Sequence, residues 1–196
     1  IHNKQLQEAS IKLLVENISA CDEVWTVSHG AGENLRSLGY QGEYIVMPNG
    51  VDFPAGRLPE EKVRAVSQGL DLPDGVPLLL FVGRMMWYKG LRIILDALKQ
   101  LKEDGPDFRM AFVGKGTDGE AIRAYAKELC LDDKVFFLEP CYDREIIRAW
   151  YCRADLFLFP STFDTNGLVV REAAACGLAS VLIAGSCAAE DVTDGR

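Results

Sequence analysis

The sequence predicts a doubly wound α/β fold, a Rossmann-like parallel sheet with helices on both faces. Short, almost continuously apolar runs recur from residue 78 to residue 183, starting with Leu78-Leu79-Leu80-Phe81-Val82, and a single stretch with helical spacing of its apolar residues separates each run from the next. Strands apolar throughout must be covered on both faces, and a strand reached through one helix lies parallel to its predecessor. At 196 residues and 48% hydrophobic content, the chain can bury a core of that kind.

In chain order, Leu6, Ala9, Leu13, Leu14 and Ile18 fall near helical spacing and predict an amphipathic helix over 3–20. A strand over 23–28 follows. Ser28 is placed to cap a helix running to about residue 38, which Gly39 ends, and a strand over 43–47 leads to the turn Pro48-Asn49-Gly50. Residues 54–76, rich in Pro, Gly and charge, read as a connection with one helix over 59–68. The second alternation then runs through strand 78–82, helix 90–101, strand 109–113, helix 119–129 and strand 135–138. It closes with helix 143–152, strand 156–159, helix 168–176 and strand 180–183. Ligands in such sheets sit beyond the carboxyl ends of the strands, so the loops 83–90, 114–119, 139–143, 160–168 and 184–190 are the ones to search.

Composition excludes several classes. A net charge of −8 argues against a nucleic-acid surface. Six cysteines lack C-x-x-C spacing, which points to reduced thiols in a cytosolic protein, with Cys152 and Cys176 as small core residues. With only His2 and His29, far apart, no metal-ligand cluster is expected. No apolar run reaches the roughly 18 residues of a membrane-spanning helix, and the start has no signal-peptide character. The chain has no initiating Met and stops at Asp194-Gly195-Arg196, so it is expected to be a piece of a longer protein.

Two loops can carry chemistry. Gly83 allows a tight exit from the first strand of the second alternation, and Arg84 and Lys89 then offer two positive charges. Two fixed cations suit a diphosphate leaving group, whose negative charge grows as its bond to a sugar breaks; the plain alternative is a helix-entry loop with solvated charges. In the second loop, Asp164 and Glu172 stand eight positions apart around the turn Asn166-Gly167, which opens a helix at Leu168. Helix N-terminal N–H groups suit phosphate, and carboxylates accept hydrogen bonds from vicinal hydroxyls. Alternatively, Glu172 is a first-turn acid that only complements the helix dipole. Met85, Met86, Trp87 and Tyr88 form an apolar cluster that is either a core plug or a face toward another domain. The run Gly114-Lys115-Gly116-Thr117-Asp118-Gly119, with Glu139 twenty residues later, matches the dinucleotide-binding fingerprint, but sits on an internal unit rather than the first.

These motifs, in this order, resemble the retaining glycosyltransferases of family GT4. The acid, seven residues and Glu of Asp164 to Glu172, the Gly83-Arg84 and Lys89-Gly90 pairs, the stretches 20–28 and 47–52, and the strands at 111–116 and 135–138 all have counterparts there. The resemblance implies the GT-B fold of two facing Rossmann-like domains. Residues 1–54 would be the tail of the N-terminal acceptor domain and linker, and 55–196 the donor-binding C-terminal domain, truncated at its C-terminus. It further implies that Arg84 and Lys89 stabilise the departing diphosphate, Asp164 orients the sugar, and Glu172 holds the ribose. The backbone of Asn166, Gly167 and Leu168, with Gly83, would meet phosphate, and Cys141 lies in the base-binding loop. No cofactor or metal is implied. Retention would follow front-face attack, with the leaving phosphate taking the acceptor's proton.

The implied activity is transfer of a hexose from a nucleoside diphosphate sugar, UDP-glucose by preference, to a lipid or polysaccharide acceptor. The Asp164-Thr165-Asn166-Gly167 version of the loop is similar to that of bacterial enzymes acting on membrane lipids or cell-surface polysaccharides. Such a protein would be cytoplasmic, working at the inner face of the membrane, and this piece alone would transfer little. The competing classes are a non-catalytic sugar-nucleotide-binding or scaffold module and an NAD-binding oxidoreductase domain. Three positions depart from the family pattern: Asp164 replaces the usual Glu, Asn166 an aromatic or Pro, and Glu139 a Gly.

Overall fold

The structure, a computed structural model, describes residues 3–195. It opens with helix α1 (Lys4–Ser19), capped by Asn3, whose Oδ1 accepts from the N–H groups of Gln5 and Leu6 at 3.0 and 3.4 Å. None of the residues of α1 is buried, and Leu6, Leu13 and Leu14 lie open. Strands β1 (Trp25–Thr26) and β2 (Ile45–Val46) pair in parallel on either side of helix α2 (His29–Ser37). They are shorter than their sequence predicts, because among the described residues each has only the other to pair with, and Trp25 and Ile45 project into solvent. As expected, Ser28 caps α2, accepting from the Ala31 N–H at 3.0 Å. Helix α3 (Glu60–Ala65) ends earlier than expected and unwinds into tight i−3 turns at Ser67, Gln68 and Leu70.

The second unit is a five-stranded parallel sheet of β3 (Leu78–Val82), β4 (Arg109–Val113), β5 (Val135–Leu138), β6 (Leu156–Phe159) and β7 (Ser180–Leu182), in the order β5-β4-β3-β6-β7. Helices α4 (Leu91–Asp104), α5 (Gly119–Glu128), α6 (Arg144–Arg153) and α7 (Leu168–Ala175) connect the strands. Every residue of β3 and β4 is buried, which is why β3 reads as an unbroken apolar run and β4 as one from Met110 onward. At roughly 1.5–3 kcal/mol for each large apolar side chain removed from water, Leu78, Leu80, Phe81, Phe112 and Phe157 anchor the sheet. Arg109 opens β4 from a buried position because its guanidinium is fully engaged: Asp107 at 2.9 Å, Asp71 at 3.2 Å and the Asp71 carbonyl at 3.0 Å. Cys152 and Cys176 are buried in the core as expected, and all six cysteines are free thiols.

Candidate functional site

From β3 the chain builds outward through β4 to β5, then returns to lay β6 against the other side of β3 before adding β7. The connections after β3 and after β6 therefore leave in opposite directions, and a crevice opens between them at the carboxyl end of the sheet. These two loops approach so closely that a Cβ on Gly90 would stand 2.3 Å from the Pro160 carbonyl oxygen, and Gly90 also has φ +78°. Only glycine meets both demands.

That crevice, about 250 Å³ in volume, is walled by Asn49, Gly83, Lys89, Asp164, Asn166 and Leu168, among others. Lys89 ends a single 3₁₀ turn (Trp87–Lys89), is buried, and forms an ion pair with Asp164 Oδ1. Its ammonium lies 5.6 Å from the Phe159 ring centre and 5.3 Å from that of Tyr88. The other carboxylate oxygen of Asp164, Oδ2, is buried, and no group among the described residues donates to it. Such an atom needs a donor. Beside it, α7 starts from Gly167, in the left-handed region at φ +63°, and no side chain among the described residues caps it. The positive end of that helix is left to whatever occupies the crevice.

The other sequence-predicted residues stand apart from this wall. Glu172 is buried and sits beyond the first turn of α7, so the reading of it as a first-turn dipole acid is corrected. Its two oxygens are held separately: Tyr151 donates its hydroxyl to Oε2 at 2.9 Å, and Arg144 Nη1 donates to Oε1 at 2.8 Å. Burial, and then the adjacent Glu172 charge, hold the Tyr151 hydroxyl well above the usual tyrosine range. Arg144 in turn lies 4.2 Å over the Phe53 ring and 3.9 Å from Asp52, which ties the acid to the inter-unit connection. Arg84 is exposed, its guanidinium 5.9 Å from the Tyr88 ring, and is not among the residues lining the crevice. Cys141 also lies off the crevice, half-buried against the core, with Sγ 3.7 Å from the Asp143 carbonyl.

Asn166 lines the crevice, but its side chain works elsewhere. Nδ2 donates to the Val27 carbonyl at 2.7 Å, and Oδ1 accepts from Arg171 Nε at 3.1 Å. Sequence reasoning missed Arg144 and Tyr151. Arg144 stands one residue past the loop marked for inspection, and a tyrosine on an amphipathic helix reads as ordinary core. The glycine-rich run at 114–119 braces the Lys89 loop: Met85 N–H donates to the Lys115 carbonyl at 3.0 Å, and Trp87 N–H to Asp118 Oδ2 at 2.9 Å. The apolar cluster divides accordingly, with Met85 buried and Trp87 edge-on to Tyr125 at 5.9 Å, while Tyr88 stays exposed beside Phe163. Among the described residues, no three His, Cys, Asp or Glu side chains gather as a metal site requires.

Residues 63–196 match the family model described as glycosyl transferases group 1. The chain belongs to that family. As a group 1 glycosyl transferase it is 33% identical over 177 residues to D-inositol 3-phosphate glycosyltransferase 2 of Catenulispora acidiphila, covering 85% of the chain and 40% of that protein. It is also 33% identical over 153 residues to a glycogen synthase of Thermus caldophilus, covering 78% of the chain and 33% of the relative. The chain thus spans well under half the length of the curated relatives it matches. Among solved structures, Anabaena HepE in complex with UDP and glucose superposes with a TM-score of 0.82 at 22% identity, covering 100% of this chain and 54% of that one. Sucrose-phosphate synthase from Thermosynechococcus elongatus gives 0.74 at 25%, over 93% of the chain and 46% of its own. The sheet of this group 1 transferase is therefore the doubly wound half of a GT-B fold, and the GT4-like resemblance holds.

Proposed function

We propose that this chain forms the donor-binding half of a retaining glycosyltransferase that moves a hexose from a nucleoside diphosphate sugar, UDP-glucose by preference, to a lipid or polysaccharide acceptor. The observation behind this is the unpartnered Asp164 Oδ2, which is buried next to the Lys89 ammonium and an uncapped helix N-terminus. A sugar diphosphate offers what each group lacks: a hydroxyl for the carboxylate, and phosphate oxygens for the ammonium and the first-turn N–H groups. That HepE was solved with UDP and glucose, and also with UDP-glucose, supports a uridine donor.

In this mechanism Lys89, with Arg84 reaching in from its exposed position, stabilises the diphosphate as negative charge accumulates on it. The Gly167 and Leu168 N–H groups hold the same phosphates. Glu172 accepts the ribose hydroxyls on the lone pairs left free by Arg144 and Tyr151, and Asp164 orients the sugar ring. The acceptor hydroxyl attacks from the face the diphosphate leaves, and its proton passes to a departing phosphate oxygen. Residues 1–54 belong, on this proposal, to the acceptor-binding half and linker, and the chain alone transfers little.

Calorimetric titration with UDP, GDP, UDP-glucose, GDP-mannose and NAD tests the proposal. Selective binding of one nucleoside diphosphate and its sugar supports it. Binding of NAD alone, or of nothing by the full-length protein, refutes it.

A further inference from the structure

We infer that Glu190 and Asn166 are positioning residues, forming a clasp between the α2 unit and the donor loop that tightens when a nucleoside diphosphate occupies the crevice; this rests on the donor-site reading above. The Glu190 carboxylate receives two N–H groups of the first turn of α2, His29 at 2.8 Å and Gly30 at 2.6 Å, across some 160 residues of chain. Ser28, the cap of α2, donates its hydroxyl to the Thr165 carbonyl at 2.5 Å, and Asn166 donates to the Val27 carbonyl at 2.7 Å. Thr165 and Asn166 are the two residues between Asp164, which carries the unpartnered carboxylate oxygen, and Gly167, which opens α7.

The contact is backed on both sides by close packing. The 3₁₀ turn Cys187–Ala189, which delivers Glu190, is wedged between the N-terminal ends of the two helices. A Cβ on Gly30 would lie 2.5 Å from Cys187 Sγ, and one on Gly167 would lie 2.8 Å from Ala188 Cβ. Only the absence of a side chain at Gly30 and Gly167 lets the turn sit this close to both helix ends, so a shift of either end is passed to the turn through close packing. A phosphate drawn to the first turn of α7 therefore fixes Gly167 against Ala188, and so fixes Glu190 on α2. Two sites coupled in this way must obey reciprocity: the factor by which nucleotide closes the clasp equals the factor by which the closed clasp strengthens nucleotide binding.

The test uses the full chain, with UDP as the probe. Amide hydrogen exchange at residues 29–31 is measured with and without UDP, and UDP affinity is measured for wild type, Glu190→Ala and Glu190→Gln. UDP should slow exchange at 29–31 in wild type. Glu190→Ala should speed that exchange and weaken UDP by about five- to tenfold, the lower part of the usual range for coupled sites. Glu190→Gln, which keeps one acceptor oxygen, should recover part of both. If Glu190→Ala loses exchange protection yet binds UDP as wild type does, the clasp is structural only and the inference fails. If Glu190→Ala does not fold, Ser28→Ala replaces it under the same criteria. Wild type that fails to bind any nucleotide would instead overturn the donor-site reading, and the clasp with it, in the first titration.

Discussion

Replacing Asp164 with Asn should destabilise the protein and tighten its grip on UDP at the same time. The side chains of Lys89 and Asp164 are only 10% and 16% exposed, so the pair is shielded from solvent. Breaking a buried pair by removing one partner costs roughly 3–5 kcal/mol, and Asn keeps an acceptor oxygen for the ammonium, so about 3 kcal/mol is expected. For a chain of 196 residues that lowers Tm by roughly 6–12 °C, at about 2–4 °C per kcal/mol. Bound UDP restores a counter-charge to Lys89 in the variant, whereas in wild type its phosphates must share the ammonium with Asp164. If about half of the penalty is recovered on binding, UDP affinity rises about tenfold. UDP-glucose gains less, because the variant no longer offers a carboxylate to the sugar hydroxyl, and its preference over UDP narrows. Thermal melts and calorimetry with both ligands measure all three effects. A variant with unchanged Tm and unchanged UDP affinity would show that the pair does not compete with the diphosphate. An undiminished preference for UDP-glucose would remove Asp164 from the sugar site.

Tyr151→Phe takes from Glu172 Oε2 its only donor among the described residues, at an expected cost of about 1–3 kcal/mol, and should weaken UDP; denaturant melts and titration check both. Arg84→Ala should leave Tm unchanged, because the side chain is exposed, while weakening UDP at least tenfold if the guanidinium joins the diphosphate; unchanged affinity would exclude it. Gly90→Ala places a Cβ 2.3 Å from the Pro160 carbonyl at φ +78°, and should cost more than about 2 kcal/mol and disturb the crevice together. Burial, and then neighbouring Cys152, raise the Cys176 thiol from 9.0 to about 12. Its stabilising contribution is complete below pH 9 and is lost as pH rises toward 12, at up to about 1.4 kcal/mol per pH unit. Cys176→Ala should flatten that part of the stability profile.

The five-stranded sheet was legible because burial on both faces leaves a mark that survives without context: β3, β5 and β6 begin and end with their apolar runs, and β4 adds only Arg109 ahead of its own. The paired strands β1 and β2 were overestimated, because the apolar and β-branched residues around Trp25 and Ile45 suit a strand whether or not neighbours exist to extend it. In the crevice, Gly83, Lys89, Asp164, Asn166, Gly167 and Leu168 converge as their loops predicted. The direction of a side chain was harder to read. Arg84 and Lys89 looked equivalent in sequence, yet the 3₁₀ turn buries one and leaves the other outside. Asn166 is matched to Val27 across 139 positions, a distance over which no local pattern reports.

The pairing of β6 with β3 also sets a clock on synthesis. Lys89 and Asp164 are 75 positions apart, and at about 5–20 residues per second the ribosome needs roughly 4–15 s to supply the second after the first. During that interval β3, β4 and β5 can already pair, with the β6 edge of β3 bare and the lysine without its counter-charge. The nascent chain thus passes through a stage with a cationic, strand-hungry edge; the arrival of Leu156–Phe159 closes that edge, and the loop that follows, through Asp164 to Leu168, completes the crevice.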